Sequence, residues 1–432
     1  MDIPLEKGPA SIIFYPTVHR EVNEEEIWKE ERSGVTTDKG LGLYIHIPFC
    51  MDICPFCPFV KYLWREKKEE AYVEALEKEM ALYSRLSLVK ENDITTVYFG
   101  GGTPTALTTD RLVELLDHVA EKFSVAPNAE IAIETHPLTT LEDKLSRIRE
   151  RGVNRITIGI QSFTEDLLRI LGCSHNVKEA IRAIEVVKEI GFESIGIDLF
   201  YRIPTQKMGD WKKALEIAVE YGLDHISCYN LGVYPGTLFH KSLEKGKIPG
   251  QPDQDVGVDM YRFAKTYLEE CGYKEYTIAN FAKDSKRCLY IRLTLEAPQG
   301  EYLGLGASSF EYANDFHSYK VSSLERYIEE LESDVIPYSK GTLVSKKEKM
   351  ARYMVLGTGC LGVSKEEFKK RFGIEIKEVH GDVISDLKKW DLVGEDESAI
   401  WLTETGIDYA VSIARLFFTD AGGGLPQGAR VT

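Results

Sequence analysis

Three of the chain's eight cysteines fall within eight residues, in the order Cys50-x3-Cys54-x2-Cys57. Thiolates are the soft ligands that iron–sulfur clusters require. Three of them leave one iron of a [4Fe–4S] cube without a protein ligand. That open iron can chelate the amino and carboxylate groups of S-adenosylmethionine (SAM), and an electron from the cluster then splits the sulfonium to a 5′-deoxyadenosyl radical. The cofactors carry such chemistry, while the protein positions and shields them. Two other readings stay open on spacing alone: a zinc site with His46 or a remote cysteine as fourth ligand, or three buried, unliganded thiols. Pro55, Phe56, Pro58 and Phe59 make the loop apolar, as a shielded cluster needs. Cys173, Cys228, Cys271, Cys288 and Cys360 are scattered and form no disulfide framework.

A second signal, Gly100-Gly101-Gly102-Thr103-Pro104, directly follows the apolar run TTVYF. Glycines at a strand end let a ligand approach the backbone closely, so exposed backbone groups here are expected to meet the SAM amino group. A tight turn between strand and helix accounts for the glycines equally well.

Both motifs need a frame. Short apolar runs (LGLYIHI, ITTVYFG, AEIAIE, NRITIGI, ESIGIDLF, DHISCYN) read as buried parallel strands, and the amphipathic stretches between them read as helices. Six or so such units predict an α/β fold with a complete or partial barrel, whose chemistry sits at the carboxyl ends of the strands. Residues 1–40 read as an acidic N-terminal arm packed over the main domain, 41–315 as the barrel, 316–420 as a small, mostly helical, winged-helix-like C-terminal domain, and 421–432 as a disordered Gly-rich tail.

The net charge of −16 disfavours a nucleic-acid backbone as main partner. No run of 18 apolar residues suggests a membrane span. The opening MDIPLEKGPA lacks a basic-then-apolar signal, so a cytoplasmic location is expected.

YIHIPFCMDICPFC followed by FGGGTPT resembles the HemN/HemW-like radical SAM family. That family contains the oxygen-independent coproporphyrinogen III dehydrogenase, the haem chaperone HemW and the class C radical SAM methyltransferases. GVNRITIGIQSF, IGIDLFYRIPTQ, HISCYNLGVYPGT, YLGLGASSF and LTETGIDYA extend the likeness from about Leu41 to Phe418. The resemblance implies a partial (β/α)6 barrel, a [4Fe–4S] cluster on Cys50, Cys54 and Cys57, and SAM. It also implies an electron donor such as flavodoxin or ferredoxin. By position, Tyr44 resembles the tyrosine beside the SAM methionyl group, and Phe56 the aromatic near the adenine. Glu134 resembles the acceptor of the SAM amino group, Gln161 a ribose ligand and Asp198 another polar contact, with Gly100 to Thr103 as backbone neighbours.

The departures are informative. The dehydrogenase has a further cysteine where this chain has Phe59, which speaks against coproporphyrinogen oxidation. HemW-like chaperones carry an H-N-x-x-Y motif where this chain reads RCLYIRLTLEAPQG, which speaks against haem chaperoning. The arginine that grips the SAM carboxylate in relatives is Cys173 here, in Leu171-Gly172-Cys173-Ser174-His175, and a thiol cannot supply a planar bidentate grip. Arg202 is the candidate replacement. The leading expectation is therefore class C-type methylation or cyclopropanation of an sp2 carbon with two SAM molecules. Tyr44, His46 and Cys173 are the candidate catalytic residues, and His136 and His175 further candidate bases. The alternative is a tetrapyrrole- or haem-modifying enzyme, or a HemW-like haem chaperone. The expected substrate is a small unsaturated, aromatic or tetrapyrrole molecule.

Overall fold

The computed structural model describes residues 5–7, 15–17, 20–29 and 39–419. The expected tail, 421–432, and most of the expected arm lie outside these.

Alternation of inward and outward side chains explains why the apolar runs become strands. In β1 (Leu41–Ile47), Leu41, Leu43, Ile45 and Ile47 face the surrounding helices and are fully buried, while Tyr44 and His46 face the other way. The same period carries through β2 (Ile94–Gly101), β3 (Val125–Thr135), β4 (Arg155–Gln161), β5 (Ser194–Tyr201) and β6 (His225–Asn230). These six strands pair in sequence order and in parallel. Sequential parallel neighbours mean that each connecting helix returns on the same side of the sheet, which is barrel winding.

The sheet is larger than six strands. β7 (Lys274–Thr277) and β8 (Asn280–Ala282) close on β6 antiparallel. β9 (Glu301–Leu305) adds in parallel to the free side of β1. β10 (Phe310–Ala313), β11 (Phe316–Lys320) and β12 (Tyr338–Leu343) then extend that side antiparallel. The expected boundary at 315 thus falls inside a 12-stranded sheet. The hairpins after 315 carry polar, turn-rich sequence that hides their strand period, and the helical segment begins at Lys346. From there, helices at Lys365–Phe372 and Ile376–Lys389 pack with a small sheet of β13 (Gly362–Ser364), β14 (Val393–Glu395) and β15 (Ala399–Leu402), the helix-and-hairpin shape expected.

The described part of the arm seals the β12 edge. Arg20 bridges to Gly341, the Trp28 indole donates to the Tyr338 hydroxyl at 3.0 Å, and Asn314 donates to the Ile27 carbonyl at 2.7 Å.

At the amino ends of the strands a buried ion pair fixes the next segment. Arg155 Nε donates to Glu130 at 2.6 Å and its other arm reaches the Lys286 carbonyl at 2.7 Å. Glu130 also accepts from the Leu289 N–H at 2.7 Å. The helix Leu289–Leu295, which carries Tyr290 towards the barrel, is therefore hung on this pair. Both side chains are at least nine-tenths buried. Arg155→Ala leaves a buried carboxylate uncompensated and is expected to destabilise the fold by roughly 3–5 kcal/mol. Equilibrium denaturation checks this, and a loss under about 1 kcal/mol would contradict it.

Candidate active site

The three cysteines follow β1 on a loop clamped from both sides. On one side lies the glycine run. A Cβ on Gly102 would sit 2.7 Å from the Phe49 carbonyl oxygen and 3.0 Å from Cys50 Sγ. Gly101 has φ +116°, and a Cβ there would enter the His46 ring at 2.7 Å. Only glycine permits this approach. The donors of the run are already engaged: Gly102 N–H to Ile47 O and Thr103 N–H to Phe49 O, each at 2.8 Å, and Gly101 N–H to Glu134 at 3.3 Å. The N–H groups of Gly101, Gly102 and Thr103 are thus committed to the cysteine loop and Glu134, so an amino group, itself a donor, would meet the run only through carbonyl oxygens. On the other side Phe239 N–H donates to the Pro55 carbonyl at 3.0 Å, and Gly172 lies against the Pro55 ring.

Cys54 and Cys57 share an apolar pocket with Phe56, Leu171, Ile203 and Leu231. Burial pushes the Cys50 thiol up to about 11 and Cys54 up to about 12, and the neighbouring thiols add to both shifts. Cys57 is raised by burial and eased by Lys61, whose ammonium donates to the Cys57 carbonyl at 2.8 Å. Thr103 Oγ1 approaches Cys50 Sγ at 3.7 Å. Among the described residues no three His, Cys, Asp or Glu side chains converge on the position of a single metal ion. The thiols nonetheless sense one another's charge. Soft ligands grouped in a dry pocket, with a glycine cradle behind them, fit a multi-iron cluster that replaces lost solvation with positive charge.

Beyond the loop, two carboxylates face the barrel lumen. Glu134, at the end of β3, accepts from the Tyr98 hydroxyl at 2.8 Å, and burial raises it to about 7, with Asp198 adding to the shift. Asp198, on β5, is raised by burial to about 6 and is partly compensated by the Ser227 hydroxyl. Tyr44 stacks with Tyr98 and Tyr290, at ring separations of 6.2 and 5.7 Å. Tyr98 and Tyr290 were not singled out from the sequence. Tyr98 was legible, since it shares the inward period of β2 with Gly100. Tyr290 lies on a short helix whose direction only the fold decides.

Gln161 and Arg202 adopt left-handed backbone, φ 66° and 61°, at the ends of β4 and β5. Such strain collects at functional strand ends. Phe56 packs edge-on to Phe200 at 5.2 Å. His46 is buried and lowered to about 4 by burial. Its Nδ1 lies 3.0 Å from the Tyr44 hydroxyl, and its Nε2, towards the Val60 carbonyl, lies outside hydrogen-bonding geometry.

Three expectations change here. Arg202 is committed elsewhere, because its guanidinium donates to Gln254 and to Gln251. Cys173 lies beside the loop, in the apolar pocket of Cys54 and Cys57, where burial and then the Cys54 charge raise its thiol. His136 and His175 form a closed chain. His175 Nε2 donates to the Ile160 carbonyl at 3.1 Å, so its Nδ1 accepts from His136 Nε2 at 3.1 Å, and His136 Nδ1 accepts from Leu138 N–H. Both rings are held neutral, His136 down to about 3, by burial. They order the turn after β3, and neither offers a free basic nitrogen.

The chain matches the Radical SAM superfamily over residues 44–216 and the HemN C-terminal domain over 344–409. It is 32% identical to the heme chaperone HemW of Bacillus subtilis over 365 residues, covering 84% of this chain and 95% of that protein. With the heme chaperone HemW of Escherichia coli it shares 33% identity over 274 residues, 62% of this chain and 69% of that one. The structure of the E. coli coproporphyrinogen III oxidase HemN, a radical SAM enzyme, superimposes with a TM-score of 0.77 at 24% identity, over 88% of this chain and 90% of that one. At that identity the match speaks for the fold alone. The expectation of methyl transfer draws no support from these relatives, and the tetrapyrrole alternative does.

With Glu134 as the expected acceptor of the SAM amino group, which it pairs with best when ionised, SAM affinity is expected to tighten as pH rises through about 7. Glu134→Gln should bind SAM more weakly and with a flatter pH response. Anaerobic SAM titrations across about pH 6 to 8 test this; an unchanged slope in the variant would assign the pH dependence to another group.

Proposed function

We propose, from the premise that this chain belongs to the HemN/HemW-like radical SAM family, that it is a radical SAM enzyme acting on a tetrapyrrole. The observation that carries the substrate class is the apolar rim at the carboxyl ends of the strands. Met51, Phe59 and Leu63 on or beside the cysteine loop, Leu138 and Leu141 after β3, and Leu238 after β6 are 36–58% exposed. Solvent-facing large apolar side chains gathered at the mouth of a barrel suit a broad, flat, apolar ligand better than a small polar one. The relatives' name, heme chaperone, points to the same ligand class.

When bound, a [4Fe–4S] cluster with SAM at its open iron supplies one-electron cleavage of the sulfonium to a 5′-deoxyadenosyl radical. Cys50, Cys54 and Cys57 would hold the cluster. Glu134 accepts from the SAM amino group, held in place by Tyr98 and Gly101. Phe56, braced edge-on by Phe200, would lie near the adenine, Gln161 and Asp198 would meet polar groups of SAM, and Tyr44 would lie beside the methionyl chain. The packed tyrosines Tyr44, Tyr98 and Tyr290 keep water from the reacting atoms. A low-potential donor, flavodoxin or ferredoxin, completes the cycle.

Modification is favoured over carriage of haem because the segment 288–295 presents Leu289 and Tyr290 and no histidine. Phe59, 44% exposed at the mouth, offers a face for stacking where the dehydrogenase pattern has a cysteine.

Purified and reconstituted without oxygen, the protein should be brown, hold about four irons per chain and form 5′-deoxyadenosine from SAM once reduced. Porphyrin titration followed by absorbance should show saturable binding. Phe59→Ala should weaken it about tenfold, the cost of losing part of one aromatic contact. Stoichiometric zinc in colourless protein would overturn the cluster assignment. A cluster-loaded, SAM-cleaving protein that binds no porphyrin would overturn the tetrapyrrole assignment alone.

A further inference from the structure

Arg352, on the helix Lys346–Thr358, is 4% exposed. Its guanidinium lies 4.1 Å over the Tyr312 ring and close enough to the Tyr302 hydroxyl to lower it against the effect of burial. Its Nε has no hydrogen-bond partner. Among the described residues no carboxylate pairs with it, since the nearby Asp315 serves Lys349 at 2.7 Å. The adjoining His317 cannot offer a negative charge either. Burial, and then the Arg352 charge, hold its ring neutral, lowered to about 3. Beside the guanidinium lies a cavity of about 20 Å³ whose wall also includes Gln299, Lys349 and Arg371.

A buried guanidinium without a counter-charge is a costly arrangement, and removing its solvation without replacement is the larger part of that cost. Here three cations line one cavity, Lys349 shared with Asp315 and the other two without a carboxylate partner among the described residues, in a chain whose net charge is −16. We propose that this cavity, at the seam between the β9–β10 end of the sheet and the C-terminal helices, is an oxyanion site. It takes one carboxylate or phosphate group. Arg352 provides the planar donor face at its floor, and Lys349, Arg371 and the Gln299 amide provide the remaining donors. The volume is that of about one water-sized atom, so it seats one oxygen of the anionic group, with the rest of the group at the mouth, and excludes a nucleotide. The site is coupled to the lumen by aromatic contacts: Tyr302 meets Tyr290 edge-on at 5.9 Å, and Tyr290 stacks on Tyr44 at 5.7 Å. An anion here would clamp the C-terminal segment against the wall that carries Tyr302. The assignment stands on these side chains and does not rest on the tetrapyrrole reading.

Thermal unfolding of the full-length, cluster-reconstituted chain in low-salt buffer tests it, with inorganic phosphate as probe. At about a hundredfold excess over its dissociation constant, phosphate should raise the melting temperature of the native chain by about 3 °C. Arg352→Met keeps the stem and removes the charge. It should melt no lower than the native chain without phosphate and should not respond to it. Arg371→Ala and Lys349→Ala, at more accessible positions, should fold normally and respond less. They carry the test if Arg352→Met does not fold. A porphyrin bearing propionates that competes with phosphate, while its methyl ester does not, would identify the anion as part of a larger ligand. Absence of competition would identify it as a free ion. Equal phosphate responses in the native chain and the variants, or none in any, would overturn the site.

Discussion

Glu134, Asp198 and the three loop thiols are buried together around one end of the barrel, and burial shifts all five towards their neutral forms. A low-dielectric lumen with several potential anions and little cationic compensation has an unmet demand for positive charge. Iron in a cluster, and the sulfonium and ammonium of SAM, supply that charge. The glycines, the clamped loop and the stacked tyrosines hold the five groups in this dry volume without letting water or a surface lysine satisfy them. Lys61 shows how limited the local relief is: its ammonium goes to the backbone carbonyls of Cys57 and Phe59, and although it eases all three thiols, burial still leaves each of them raised.

How much of this was legible follows from which interactions are local in sequence. The cysteine spacing, the glycine run and the inward period of the strands are local, and each led to the right element. The role of the glycines was not local. Whether Gly102 N–H is free depends on a carbonyl at Ile47, more than fifty residues away. The placement of Arg202 is equally non-local, because its partner Gln254 opens a later helix and Gln251 lies on the loop just before it. The two candidate basic histidines cancel one another through a contact between His136 and His175 that no spacing announces. The domain boundary moved because β11 buries polar side chains, His317, Ser318 and Lys320, so that no apolar alternation marks it, and it and β12 pair on a sheet edge rather than with a neighbouring apolar run.

Cys173 illustrates a substitution whose meaning depends on its surroundings. Read as a missing arginine, it is a loss of grip on a carboxylate. In the fold it joins the apolar wall around Cys54, Cys57 and Phe56, on a turn whose Gly172 abuts Pro55 of the cysteine loop. A guanidinium in that wall would be desolvated against the loop. The thiol instead completes an apolar surface around the cluster loop.

The aromatic side chains join paired strands of the sheet to the helix Leu289–Leu295 and to the C-terminal segment. Tyr44 from β1, Tyr98 from β2, Tyr290 from the helix hung on Arg155 and Glu130, Tyr302 from β9 and Phe310 from β10 touch in succession. Packed rings of this size move together or not at all, because a close-packed interior has discrete arrangements rather than a continuous range. Displacing Tyr290 to admit a ligand therefore displaces a ring that leans on Tyr302, and Tyr302 is held by Arg352 of the C-terminal segment. The small C-terminal segment is thereby tied mechanically to the lumen it does not line, which gives a physical reason for a radical barrel to carry it.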